Sequence, residues 1–361
     1  MQMKRKRNVI TAIVFIMFIA LIVLIVAILI KITVGTGDKK GLGTVKVGTE
    51  NVTKQDNSEE QKDDETLTGG AEDFAIFGVD SRSNQLGKGT RSDSIMVVRV
   101  DHDAKTVRIL SVFRDTMMNI EGHGYQKVTH AHAFGGPELA VDTLNKNLDL
   151  DIKHYVTLNF NSVGDIVDEI GGISQDLDAS EVNVINEYID EINGVRGTKS
   201  EHITEPGTYT LDGTQTVAFT RIRYTTGGDY KRTERQRTVL FKVFEAAKKL
   251  DTAEKVKFIS DMVGSINTDY DANDALTIFK NLSEYNISDT TAYPQVFYGG
   301  KVDGAWVEVP CTLADMAKGV HQFLYGEADY TPSDVVDEYS NALSEKVSEP
   351  NNDFTNTDFE D

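Results

Sequence analysis

Hydrophobic and polar positions divide the 361-residue chain into stretches of different character. Val9 to Ile30, "VITAIVFIMFIALIVLIVAILI", runs 22 residues without a charge. As a helix it would be about 33 Å long, enough to cross a hydrocarbon core of about 30 Å. It exceeds the apolar region of a cleaved signal peptide, and Lys31 follows it where a small-residue cleavage site would stand. The pattern predicts an uncleaved signal anchor over 9–30. Lys4, Arg5, Lys6 and Arg7 precede it and favour a cytoplasmic N-terminus, residues 1–8. Residues 31–71 are polar and glycine-rich and read as a flexible extracellular linker. Residues 328–361, ending "SEPNNDFTNTDFED", read as an acidic disordered tail.

Between them, residues 72–327 carry the periodicities of a folded domain. "FAIFGV" (74–79), "SIMVVRV" (94–100) and "VRILSVF" (107–113) are short apolar runs of strand length. The brief "DHDAKT" link makes the second and third an antiparallel hairpin. "GGPELAVDTLNKNL" predicts a helix with Pro137 near its first position. "IKHYVTLNF" reads as a strand, "NSVGDIVDEIGG" and "ASEVNVINEYIDEI" as helices, "RIRY" as extended, and Lys231 to about Leu250 as a long helix. "AYPQVFYGGKVDGAWVEV" reads as a hairpin. Strands alternate with helices, so the fold class is α/β or mixed α-β-α.

Composition narrows the function. The formal net charge is -20, which argues against nucleic-acid binding. The single cysteine, Cys311, rules out an internal disulfide. Against that acidic background, "TRIRYTTGGDYKRTERQRT" (220–238) gathers five arginines and a lysine into nineteen positions. Arg232, Arg235 and Gln236 fall on one side of the long helix, near its N-terminus, where an anion is favoured. Arginine suits phosphate because its planar fork donates two hydrogen bonds.

The strand ends add partners. If the first strand runs parallel to the third, one sheet edge gathers Asp80, Arg82, Arg91, Asp93, Arg114 and Asp115, at an edge where α/β sheets bind ligands. Charged loops are ordinarily just wet. Here arginine and aspartate alternate in all three loops. Such a set points to phosphate with a divalent cation, Mg²⁺ or Mn²⁺, held by Asp80 and Asp93. There is no HExxH, cysteine pair or Walker A sequence. His130 and His132 resemble a metal pair only in their spacing; packing or surface roles fit them better.

"FAIFGVDSR", "RSDSIMVVRVD", "ILSVFRDT", "KVTHAHAFGGPELAVDTLN", "HYVTLNF", "EIGGI" and "TRIRY…GGDYKRTERQR", in this order, resemble the LytR-CpsA-Psr family of Gram-positive bacteria, over about residues 72 to 250. The resemblance implies an α/β fold: a mixed-sheet α-β-α sandwich with an apolar lipid pocket, behind one N-terminal transmembrane helix. It implies a phosphotransferase that moves a glycopolymer from a polyprenyl-pyrophosphate carrier to peptidoglycan at the outer face of the membrane. By motif, Asp80 and Asp93 match the Mg²⁺ (or Mn²⁺) aspartates. Arg82, Arg91, Arg114, Lys127, Arg221, Arg223, Arg232 and Gln236 match the pyrophosphate environment, and Arg91, Arg114, Asp229 and Arg232 the catalytic set. Family members often carry Asn where this chain has Thr129. The pocket is expected to be lined by apolar residues after Phe134 and in later helices. Asp229 and Asp115 are both candidates for the general base. The competing readings are a membrane-bound regulator of the transcriptional-attenuator type, a polyanion-binding module without chemistry, and a plain pyrophosphate hydrolase. The basic cluster lies beyond the expected span from the KRKR end, which argues against direct DNA contact.

Overall fold

A computed structural model describes residues 70–81, 85–223, 228–247, 265–270 and 285–349, with the single positions 250, 254 and 352. The expected 9–30 span, nearly all of the 31–71 linker, and Arg82 lie outside these residues. Among the described residues, no helix is long and apolar enough to cross a membrane.

Strand β1 (Ala71–Val79) lies inside the sheet, between β2 (Ser92–Asp101), antiparallel, and β6 (His154–Leu158), parallel. Its apolar run suits a strand covered on both faces, and Phe74, Ala75, Ile76 and Phe77 are all buried. β2 turns into β3 (Thr106–Val112) as the expected hairpin. β3 pairs in parallel with β10 (Asn286–Tyr293), and β6 is antiparallel to β9 (Asn267–Thr268). The mixed sheet has the order β10-β3-β2-β1-β6-β9. β1 and β3 run the same way, as the sequence requires for its charged loops to meet.

Side chains alternate across the sheet. Phe74, Ile76, Met96 and Val98 face α2 (Phe160–Glu169), α3 (Ala179–Arg196), α4 (Gly213–Arg221) and α5 (Gly228–Ala247). The hairpin β7 (Ile173–Leu177) with β8 (Gly207–Leu211) belongs to this layer. Capping boxes start α2 at Asn159, α3 at Asp178 and α4 at Asp212. α2 and α4 touch at their glycines: a Cβ on Gly213 would lie 2.0 Å from the Gly164 carbonyl oxygen.

Ala75, Phe77, Val97 and Leu110 face the other layer. It contains α1 (Thr129–Leu148), α6 (Leu313–Tyr325) and α7 (Asp334–Val347). Two hairpins complete it, β4 (Met117–Ile120) with β5 (Gly124–Lys127), and β11 (Phe297–Val302) with β12 (Ala305–Pro310). α1 is kinked at Gly136 (φ 79), and Pro137 opens its second part as expected.

Three expectations are corrected here. Residues 328–361 are not a disordered tail throughout. Asp334–Val347 is a helix whose Val336, Ser340 and Leu343 are buried at i, i+4, i+7 spacing. Its acidic exposed face hid that stripe. Asp149 fastens it, accepting hydrogen bonds from Ser333 N (2.7 Å), Ser333 Oγ (2.6 Å) and the Tyr330 hydroxyl. The folded domain therefore extends beyond residue 327. Second, "RIRY" is not extended at its start: Arg221 closes α4, whose Phe219 and Ala218 pack into the core. Third, the residues after Phe134 pack in the layer of α1, away from the apolar slot described below.

Candidate active site

Three strand ends converge as the sequence reading requires. The loop after β1, the start of β2 and the turn after β3 bring Asp80, Arg91, Asp93 and Arg114 to one cavity of about 700 Å³. Across it stand Arg221 and Arg223 at the end of α4, and Arg232 and Gln236 near the start of α5. Eight of the proposed site residues thus line one space. Arg82 and the side chain of Asp229 lie outside the described residues.

Ion pairs fix the floor. Arg114 Nη1 donates to Asp93 Oδ1 at 2.5 Å, and Arg114 Nε lies 3.5 Å from Asp115 Oδ2. Lys127 Nζ reaches Asp115 Oδ1 at 2.8 Å. Lys127 is not among the residues lining the cavity; it stands one ion pair behind Arg114. Arg232 is buried and donates from Nη2 to the Asp93 carbonyl at 3.4 Å. Arg235, on the same helix, turns the other way: it bonds Glu181 at 2.9 Å and the Ile222 carbonyl at 3.1 Å, a structural role. Burial, Arg91 and Lys127 all hold the His130 imidazole below its ordinary pKa, the expected response to a positive surrounding. His132 is buried, contacts the Thr90 carbonyl through Nδ1 at 2.9 Å and packs on Phe77, which is a packing role.

Beside the polar cavity lies an apolar slot of about 110 Å³ between the sheet and the helices. Ile76, Met96 and Leu158 form its sheet wall, and Val163, Val217, Val239 and Val243 its helix wall. Asp93, Phe160, Thr220 and Gln236 line both spaces, so the two join. The expected apolar pocket is therefore lined from the later helices, with Val239 and Val243 on the inward face of α5, and by sheet residues that sequence reasoning did not name.

Sequence reasoning also missed the part of the cavity wall made by Phe160, Glu187, Tyr188 and Glu191. There Arg221 pairs with Glu191 at 2.8 Å, and its guanidinium lies 4.8 Å from the Phe160 ring centroid and 5.6 Å from that of Tyr188. These residues sit on amphipathic helices whose pattern reads simply as core and surface. The one usable signal was the capping box at Asn159, which places Phe160 at a helix start on the sheet edge.

Among the described residues no cluster of three or more His, Cys, Asp or Glu could hold a metal ion. Asp80 and Asp93 do share the arginine-lined cavity. Two carboxylates beside an anion site fit an ion that takes its remaining ligands from phosphate and water. The arrangement can hold a strongly anionic head through arginine forks and, in the slot, the few apolar carbons next to it.

Comparison with known proteins agrees. Over 215 residues the chain is 32% identical to the polyisoprenyl-teichoic acid–peptidoglycan teichoic acid transferase TagT of Bacillus subtilis strain 168, covering 58% of this chain and 64% of that protein. It is 33% identical over 197 residues to the corresponding transferase TagU of Halalkalibacterium halodurans, covering 54% of this chain and 59% of that protein. The matches thus span somewhat under two thirds of these relatives. The solved structure of TagT bound to LI-WTA superposes with a TM-score of 0.56 at 26% identity, over 72% of this chain and 92% of that one. That of YwtF (TagT) with bound octaprenyl pyrophosphate lipid gives 0.53 at 25% identity, over 72% and 92%. The sequence model of the LytR_cpsA_psr family matches residues 42–314, which includes every residue of the cavity and the slot, and the chain belongs to that family.

Proposed function

We propose that the protein transfers a glycopolymer, as a glycosyl phosphate, from a polyprenyl-pyrophosphate carrier to peptidoglycan and leaves a phosphodiester link. The observation that carries this reading is the junction of the two spaces. An arginine-lined cavity and an apolar slot share Asp93, Phe160, Thr220 and Gln236, so they fit one amphipathic ligand with a pyrophosphate at its waist. The relatives named as teichoic acid transferases, and one with bound octaprenyl pyrophosphate, support it. The polymer class is teichoic acid, capsular polysaccharide or another wall glycan. The expected 9–30 anchor would hold the domain on the outer face of the cell membrane, with residues 1–8 in the cytoplasm.

The chemistry follows from the residues. An acceptor hydroxyl oxygen attacks the glycan-side phosphorus; the bond from that phosphorus to the bridging oxygen breaks, and polyprenyl phosphate leaves. Such a reaction needs positioning and charge stabilisation more than covalent help. Arg114 and Arg91 hold the transferring phosphoryl group from the strand side, and Arg221, Arg223 and Arg232 from the helix side. Gln236 stands where head meets tail. Lys127 neutralises Asp115 and so orients Arg114. Asp80 and Asp93 would hold Mg²⁺ or Mn²⁺, which supplies charge neutralisation at the pyrophosphate when bound. The acceptor proton passes to a carboxylate; of the two candidates Asp229 suits this better, because Asp115 is already paired with Lys127 and Arg114.

The test incubates the full chain in detergent with a polyprenyl-pyrophosphate glycan, peptidoglycan fragments and Mg²⁺. Attachment through a phosphodiester, abolished by Arg114→Ala and by Asp93→Ala, is expected. Tight glycolipid binding without attachment, unaffected by Asp93→Ala, would instead make the protein a polyanion-binding or regulatory module.

A further inference from the structure

The hairpin β11–β12 is pinned to the site but takes no part in the cavity. Glu308 N donates to the Asp115 carbonyl at 2.9 Å, and Thr116 bridges to Glu308. In its register Phe297 pairs with Pro310, Gly299 with Glu308 and Lys301 with Trp306. With a period of two, these six share one face. At its inner end Phe297 stacks on Tyr230 (5.9 Å, 16°), which in turn meets Phe113 edge-on at 4.6 Å. Phe113 precedes Arg114, and Tyr230 is two residues from Arg232. At its outer end, about 13 Å away at about 3.3 Å per residue, stands Trp306. Trp306 is 45% exposed and Tyr230 39%. Tyr230 stands open two residues from Arg232 and Trp306 open at the far end of the hairpin, while Gly299, Glu308 and Pro310 between them are buried, so the two rings offer separate flat apolar platforms along one line from the site.

We infer that this aromatic face is the subsite for the acceptor glycan strand of peptidoglycan, with Trp306 and Tyr230 as its stacking residues; the inference rests on the transferase reading above. A pyranose ring offers C–H groups on its face and hydroxyls at its rim. It therefore suits a flat aromatic ring flanked by polar groups such as Lys301. Geometry selects the acceptor over the donor. In the order β10-β3-β2-β1-β6, the slot opens under β2, β1 and β6, whereas the aromatic face adjoins the end of β3. Asp93 and Arg114 stand between. Attacking and leaving oxygens lie roughly in line at phosphorus. With the polyprenyl phosphate leaving toward the slot, the acceptor hydroxyl arrives from the side of β3 and the hairpin.

Trp306 is the single tryptophan of the chain, so fluorescence excited selectively in tryptophan reports on this position alone. The full chain in detergent is titrated with glycan oligosaccharides from peptidoglycan and, separately, with the polyprenyl-pyrophosphate donor. A saturable shift with the first and none with the second is expected. In the transfer assay, Trp306→Ala raises KM for the acceptor about tenfold and leaves kcat and the donor KM unchanged. Tyr298 is 46% exposed but on the opposite face, so Tyr298→Ala moves neither. A shift with the donor alone would assign the face to the transferred polymer and overturn the proposal. So would an unmoved spectrum and an unmoved acceptor KM in an enzyme that transfers. Acceptor-induced fluorescence in a protein that transfers nothing would instead refute the transferase reading and leave the glycan contact supported.

Discussion

The two faces of the central sheet are built from the same strands yet behave differently. Phe77, Val97 and Leu110 look into a layer closed by α1, α6 and α7. Their neighbours Ile76 and Met96 look into the other layer, where the helices leave a slot. One face is packed for stability and the other leaves apolar surface open beside charge. A strand that alternates can serve both, because each residue answers to one face only. The difference teaches that the slot arises from the spacing of α2, α4 and α5 above the sheet, since the strand residues beneath it are as apolar as those on the closed side.

The largest effect that could break this contrast is at the polar end. Arg114→Ala should reduce transfer about 10²–10³-fold with little change in melting temperature, since Arg114 serves charge at the mouth. A fall in activity explained by unfolding would remove Arg114 from the site. Next, Phe77→Ala should cost about 3–5 kcal/mol of stability. Denaturant titration against Ile76→Ala, whose side chain borders open space, sharpens the comparison. Equal costs would mean that the two faces are packed alike. Filling the slot with Val239→Trp should lower affinity for polyprenyl pyrophosphate at least about tenfold, as several methylenes lose their burial. Inorganic pyrophosphate should bind as before, and a parallel loss of both would merge slot and cavity into one determinant.

The smallest effect concerns the closed face. Burial works against ionisation of Asp149, but hydrogen bonds from Ser333 and Tyr330 outweigh it and hold the carboxyl below its ordinary value of 3.8. A depressed carboxylate adds stability above its unfolded pKa and loses it as pH falls through the folded one. Below about pH 4 the hydrogen-exchange protection of α7 should therefore decline first. Asp149→Asn should cost about 1–2 kcal/mol and remove that pH dependence; retention of it would place the titrating group elsewhere.

Much of this was legible in the chain. The runs at 74–79, 94–100 and 107–113 marked three strands and one hairpin, and the meeting of Asp80, Asp93 and Arg114 then followed on the condition, met in the structure, that the first and third strands run the same way. Arg232 and Gln236 followed from helical spacing. What stayed hidden was relational. Glu187, Tyr188 and Glu191 become a wall only because α3 crosses the mouth, and nothing in their pattern marks them apart from other surface. The slot needs Ile76 and Val239, far apart in sequence, at a spacing that no local period encodes. α7 was hidden by its acidic composition, which outweighed a three-residue stripe. Lys127 matched a family motif, yet it pairs with Asp115 and does not line the cavity.

β1 begins at Ala71 and ends beside Asp80, and it is laddered to β2 on one side and β6 on the other over most of its length. A pull on the chain ahead of Ala71 is therefore a pull along the strand axis. Nearly all the hydrogen bonds of both ladders carry such a load together, in shear, instead of opening one after another. The entrance of the domain and its arginine-lined cavity are separated by the full length of that strand, about 30 Å at about 3.3 Å per residue. As a mechanical element β1 is a strut: strain applied at one end of the sheet is spread over its interior before it can disturb Asp80.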